Sequence, residues 1–119
     1  MERRYYPRLR TIILVKDNIM LIVLAKAKVG AGAVDAARAA IADMVAASNA
    51  EDGCIAYNFA QDALDPGVLH IVEKWQDDAA LAAHFATPHM AAFGAAIAQL
   101  DIKIVEAIKY HTDEGAALM

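Results

Sequence analysis

Four extended-pattern runs in this chain are apolar on both of their faces. In residues 20–29, MLIVLAKAKV, Leu21, Val23, Ala25, Ala27 and Val29 alternate with Ile22, Leu24, Lys26 and Lys28. In 54–61, CIAYNFAQ, the reading sets Ile55, Tyr57 and Phe59 against Cys54, Ala56 and Asn58. In 68–75, VLHIVEKW, Leu69, Ile71 and Trp75 oppose Val68 and Val72. In 102–110, IKIVEAIKY, Ile102, Ile104, Ile108 and Tyr110 are expected to share one face. A sheet open to water on one side alternates apolar with polar residues. These runs do not, so both sides of the sheet need a cover.

The intervening segments supply one cover. Gly30 and Gly32 end the first run, and Val34, Ala37, Ile41, Met44, Val45 and Ser48 then recur at helical spacing. NAEDG, 49–53, offers turn and helix-ending chemistry. DALDPG, 62–67, is a loop short enough to join the second and third runs as an antiparallel hairpin. Asp77 or Asp78 can cap a short helix, and Thr87 followed by Pro88 starts another carrying Met90, Phe93, Ile97 and Leu100 on one face. The order is βαββαβ, a ferredoxin-like α+β arrangement with an antiparallel sheet. Right-handed crossovers put both helical segments on one side. A second copy of the sheet is the simplest cover for the other, so a homodimer is expected.

The chain has 119 residues, the size of one domain, and 59% are hydrophobic. Residues 1–18 read as an N-terminal extension, 19–111 as the domain and 112–119 as a tail. The net charge of −4 argues against nucleic acid, whose binding rests on phosphate neutralisation. No apolar run reaches membrane-spanning length. The lone Cys54 fits a reducing cytoplasm.

Two histidines flank a Thr-Pro in HFATPH, 84–89. His84 follows Leu81 by one helical turn, on the apolar side of its helix. It is either a helix-end histidine bonded to a carbonyl or a polar group facing a pocket. His89 reads as a first-turn residue, where the helix dipole favours a neutral ring. Their five-residue spacing is not the four of a zinc helix, so a metal is expected at neither. Lys26 and Glu73 sit on largely apolar faces, where a charge needs a partner. A Lys26–Glu73 pair across strands is as open as a site role for each. Tyr57 and Trp75 carry polar tips that seek partners when buried. Cys54 has no visible activating neighbour.

In order, MLIVLAKAKVGAG, EDGCIAYNFAQD, DPGVLHIVEKW and LAAHFATPHMAAF resemble the antibiotic biosynthesis monooxygenase domain family, which includes the quinol monooxygenases. The resemblance runs from about Met20 to Tyr110. Its most specific pieces are Gly53, Cys54 and Tyr57, the Glu73–Trp75 pair, and His84 to Phe93. It implies a dimeric ferredoxin-like α+β barrel. It also implies oxygenation of an aromatic or quinol-type small molecule by O2 without metal, flavin or haem. On that reading His84 is the base or proton relay, oriented by Glu73. Trp75 and Tyr57 give hydrogen bonds and a flat wall, and Lys26 steadies an anion. Asn58, His89, Met90 and Phe93 complete the pocket. The family's anthrone-oxidising members use an Asn, Trp and Tyr set, for which Asn58, Trp75 and Tyr57 offer the residue types. The fold is also similar to that of haem-degrading monooxygenases, but no histidine lies between Met90 and Leu100 to hold iron. An isomerase of a small phosphorylated sugar, using Lys26, Glu73 and His84, and a non-catalytic dimeric binding protein are the alternatives.

Overall fold

A computed structural model describes residues 19–119; the expected 1–18 extension lies outside them. The elements run β1 (Met20–Val29), α1 (Ala33–Asn49), β2 (Cys54–Gln61), β3 (Val68–Trp75), α2 (Asp78–Phe85), α3 (Pro88–Ile97) and β4 (Ile102–Thr112). The strands form one sheet in the order β2-β3-β1-β4, with every neighbouring pair antiparallel. This is the expected ferredoxin-like α+β fold, with the second helical segment broken in two at Thr87–Pro88. β4 runs slightly beyond the expected end, to Thr112.

Local chemistry explains the breaks. Gly32, at φ +78°, precedes α1 in a left-handed conformation that glycine adopts without strain. The Asp77 carboxylate accepts from the Ala80 N–H and caps α2, while Thr87 Oγ1 accepts from the Met90 N–H and caps α3. Pro88 stands at the start of α3, where its missing N–H costs nothing.

Leu21, Val23, Met44, Tyr57, Ile71, Trp75 and Leu81 form the core between sheet and helices. Two bulges correct the expected faces. Cys54 pairs with Trp75 and Ala56 with Lys74, so Ile55 is an extra residue, and Cys54 joins Tyr57 on the helix side. Lys26 pairs with Glu106 and Ala27 with Ile104, which leaves Val105 extra. Ile102 and Ile104 therefore face the helices, whereas Ile108 and Tyr110 face the other way. That second face exposes Leu24, Val72, Ile108 and Tyr110. Among the described residues no helix is long and apolar enough to cross a membrane.

Candidate active site

The helices do not fill the space above the sheet. A chamber of about 300 Å³ remains between β1–β4 and the three helices. Its wall is aliphatic and aromatic, with Phe59, Ile71, Phe85, Met90 and Phe93 prominent. Phe59 and Phe93 meet edge to face at 5.6 Å across it. Among the described lining residues only two ionise, Glu73 and Tyr57, which are register partners on β3 and β2.

Glu73 is 9% exposed. Burial pushes its carboxyl above the ordinary carboxylate range, and the nearby Glu51 charge adds to that. Two groups pull the other way: the Trp75 indole Nε1, which donates to Glu73 Oε1 at 2.9 Å, and the charge of His84. Burial also pushes the Tyr57 phenol upward, helped by Glu73, so at neutral pH it remains a donor. Glu73 and Tyr57 thus offer one proton acceptor and one proton donor to an apolar space.

Behind this wall stands His84, buried to 1% exposure. Its ring lies 4.8 Å from that of Trp75 and 5.4 Å from that of Tyr57. It is not among the residues lining the chamber, and Glu73 does not orient it. Its Nδ1 instead meets Glu51 Oε2 at 2.6 Å, and His89 Nε2 meets the same oxygen at 2.6 Å. Glu51 escaped sequence reasoning because it lies in the NAEDG turn, read only as a helix ending. The turn is fixed by Glu51 N–H donating to Ser48 O and Cys54 N–H donating to Glu51 O. These three side chains are the described group whose donor atoms could hold a metal.

The remaining expectations divide. Met90 and Phe93 line the chamber, and His89 does not. Lys26 lies on the opposite face of the sheet, between His70 and Glu106 in register, so it neither pairs with Glu73 nor reaches the chamber. Asn58 is opposite Val72 on that same far face and is exposed. Strand alternation separated these two from Tyr57 and Glu73. Cys54 is partly buried, and burial with the Glu51 and Glu73 charges pushes its thiol up, away from a reactive thiolate.

A larger depression, about 420 Å³, lies where β1 ends, beside Gly30, Gly32 and Gly67. Among the described residues that line it, Asp35 is the single charged group. The aromatic chamber is the better site for chemistry, because it is apolar and has a carboxyl and a phenol on its wall.

The family model for antibiotic biosynthesis monooxygenase matches residues 20–96. A conserved protein of Bacteroides thetaiotaomicron, described as a possible oxidoreductase, is 30% identical, with a TM-score of 0.72 over 79% of this chain and 98% of that one. A Pseudomonas aeruginosa protein is 28% identical, with a TM-score of 0.67 over 84% and 98% of the two chains. A Deinococcus radiodurans protein carrying the family's name has the same fold, at 24% identity and a TM-score of 0.75 over 83% and 98%. No curated protein matches the chain. With most of β1 through α3 covered by the family model, this chain belongs to the antibiotic biosynthesis monooxygenase family.

Proposed function

We propose that the protein is a cofactor-independent monooxygenase that oxidises a hydroquinone or similarly electron-rich aromatic with O2. The observation that carries this reading is Glu73, the single carboxylate among the described residues that line an otherwise apolar, aromatic chamber.

The chemistry balances without an outside reductant. Glu73 takes a phenolic proton, and the phenolate passes an electron to O2. The resulting radical pair joins at a ring carbon, forming a C–O bond. The O–O bond then breaks: one oxygen stays on the ring as a hydroxyquinone and the other leaves as water. The ring supplies every electron that oxygen consumes. Tyr57, kept protonated, donates to the developing oxygen anion, and the dry wall strengthens that contact. Trp75 holds the Glu73 carboxylate in place. His84 acts from behind the wall, through its charge on Glu73, rather than on substrate. This moves the base from His84, where the sequence put it, to Glu73.

The phosphorylated-sugar reading loses support. It needed Lys26 beside Glu73 and His84, and no cation is among the described residues that line the chamber. The exposed Leu24, Val72, Ile108 and Tyr110 support a homodimer in which a second copy covers the far face of the sheet. The single cysteine supports a reducing, cytoplasmic setting.

The test is oxygen uptake across a panel of hydroquinones and polyphenols, with product identified by mass. One oxygen atom from labelled O2 enters the product of the active pairings. Glu73→Gln lowers kcat/KM by about 100-fold or more, the usual worth of a positioned base. Uptake that is absent throughout the panel, or unaffected by Glu73→Gln, removes the assignment.

A further inference from the structure

We propose that Glu51, His84 and His89 form a binding site for a divalent transition-metal ion of the zinc class. The site is separate from the chamber, because none of the three lines it. His84 serves both readings, but the test of this site reads metal binding and not oxygen uptake, so the two can fail separately.

The three side chains come from three helix ends. Glu51 follows α1, His84 lies in the last turn of α2, and His89 lies in the first turn of α3. The corner between the histidines is rigid: Thr87 N–H donates to His84 O at 3.2 Å, and Thr87 Oγ1 donates to the same oxygen at 2.8 Å. The fold thus holds both rings before any ion arrives.

Their donor atoms converge. His84 Nδ1 and His89 Nε2 both reach Glu51 Oε2 at 2.6 Å, and all three atoms lie within 4.8 Å of one another. In this form each ring donates an N–H to the shared oxygen. When those protons leave, two imidazole lone pairs and a carboxylate oxygen point into one small space. An ion there takes ligands at about 2.0–2.2 Å and spreads them to about 3.3 Å apart. The two N···O separations then open by less than an ångström, while the two ring nitrogens, within 4.8 Å of one another, draw in toward the same distance.

Two nitrogens and one oxygen select the class of ion. Calcium and magnesium prefer oxygen alone, whereas imidazole suits zinc, iron, cobalt, nickel and copper. The burial is graded as well. His84 is 1% exposed, the Glu51 side chain 12% and the His89 side chain 23%. One side of the site is packed against Trp75 and Tyr57, and the other is open to entering metal and to a water as a further ligand. Phe85 and Met90, each next in sequence to one of the histidines, line the chamber. A bound ion would pin the α2–α3 corner that roofs it.

Two other described histidine–carboxylate contacts serve as controls. His70 meets Asp62, and His111 meets Asp78, but each has one histidine, and Asp78 also holds the Lys109 cation.

The test uses the full chain without a polyhistidine tag, stripped by chelator. Zn²⁺ is titrated in by calorimetry, and Co²⁺ is followed by visible absorption. One ion binds per chain with Kd below about 10 µM, Co²⁺ gives the intense bands of a low-coordinate site, and Zn²⁺ raises Tm. His89→Ala weakens binding by about 100-fold or more, since even a residue supporting a ligand is worth 10- to 100-fold. Glu51→Gln does the same, and either variant is accepted once circular dichroism matches the parent. The double variant His70→Ala, His111→Ala binds as the parent does. Kd above about 100 µM, binding that survives His89→Ala and Glu51→Gln, or binding lost in the double control variant overturns the site.

Discussion

The Trp75 indole donates to the Glu73 carboxylate at 2.9 Å from two residues further along the same strand face. This short link decides how a carboxylate survives in an apolar chamber. Burial raises the Glu73 pKa, while the Trp75 bond and then the His84 charge oppose the rise, and Glu51 reinforces it. Tyr57, its neighbour across β2–β3, carries no charge at neutral pH.

The net direction has a consequence for stability. A carboxyl whose folded-state pKa lies above its unfolded value binds its proton more tightly when folded. At low pH, below the unfolded value, Glu73 carries no ionisation penalty. As pH rises through the window up to the raised folded value, stability falls, and above that window the loss is complete. Glu73→Gln keeps an oxygen for Trp75 but cannot ionise. Urea unfolding at a series of pH values therefore shows the variant gaining on the parent as pH rises from the acid side. A gap that is constant with pH, or that closes, contradicts the raised pKa.

Trp75→Phe removes the donor and retains an aromatic ring. The cost is about 1–3 kcal/mol for leaving a buried carboxylate without its partner. The Glu73 pKa moves further up, so the acid limb of the rate–pH profile moves to higher pH. Paired in a double-mutant cycle with Glu73→Leu, which removes the acceptor, the two changes are strongly non-additive. Additive effects would mean that the bond does not govern Glu73.

The strand bounds were legible because each apolar run is closed by glycine, aspartate or proline, residues that carry turn chemistry. The faces were less so. An extra residue at Ile55 or Val105 changes neither composition nor length noticeably, yet it reverses every side chain beyond it. Strict alternation therefore put Ile108 and Tyr110 with Ile104, on the wrong side. Lys26 and Asn58 were drawn toward the site by chemistry, while the pleat placed them behind it. Glu51 shows a different limit. It lies 33 residues from His84 and 38 from His89, and only the packing of three helix ends brings them together.

Gly53 and Gly94 respond oppositely to a methyl group. Gly53 turns the chain into β2 at φ +83°, and a Cβ there would sit 2.6 Å from that of Ala80 in α2. Gly53→Ala therefore costs about 2 kcal/mol or more, from backbone strain and from displacing the helix that carries His84. Gly94 lies within α3 at the chamber, with nothing within 4 Å of an added Cβ. Gly94→Ala stabilises by up to about 1 kcal/mol through helix propensity. Denaturant midpoints of the two variants should fall on opposite sides of the parent.

The far face of the sheet makes the last prediction. Leu24 is 46% exposed, Val72 43%, Ile108 43% and Tyr110 48%, although all four lie on strands and Leu24 is opposite both Val72 and Ile108 in register. Such a surface costs free energy in water and is recovered when two copies meet. Val72 is a strand-centre position whose side chain points away from the chamber, so changing it leaves Glu73 and Tyr57 untouched. Val72→Glu places a carboxylate in each half of the interface, where it must be desolvated beside apolar side chains. Dimerisation weakens by about 2 kcal/mol or more, or roughly 30-fold in Kd. Sedimentation at micromolar concentration should show the parent as a dimer and the variant shifted toward monomer, with unchanged circular dichroism. A parent that sediments as a monomer leaves this face bare and refutes the pairing of sheets.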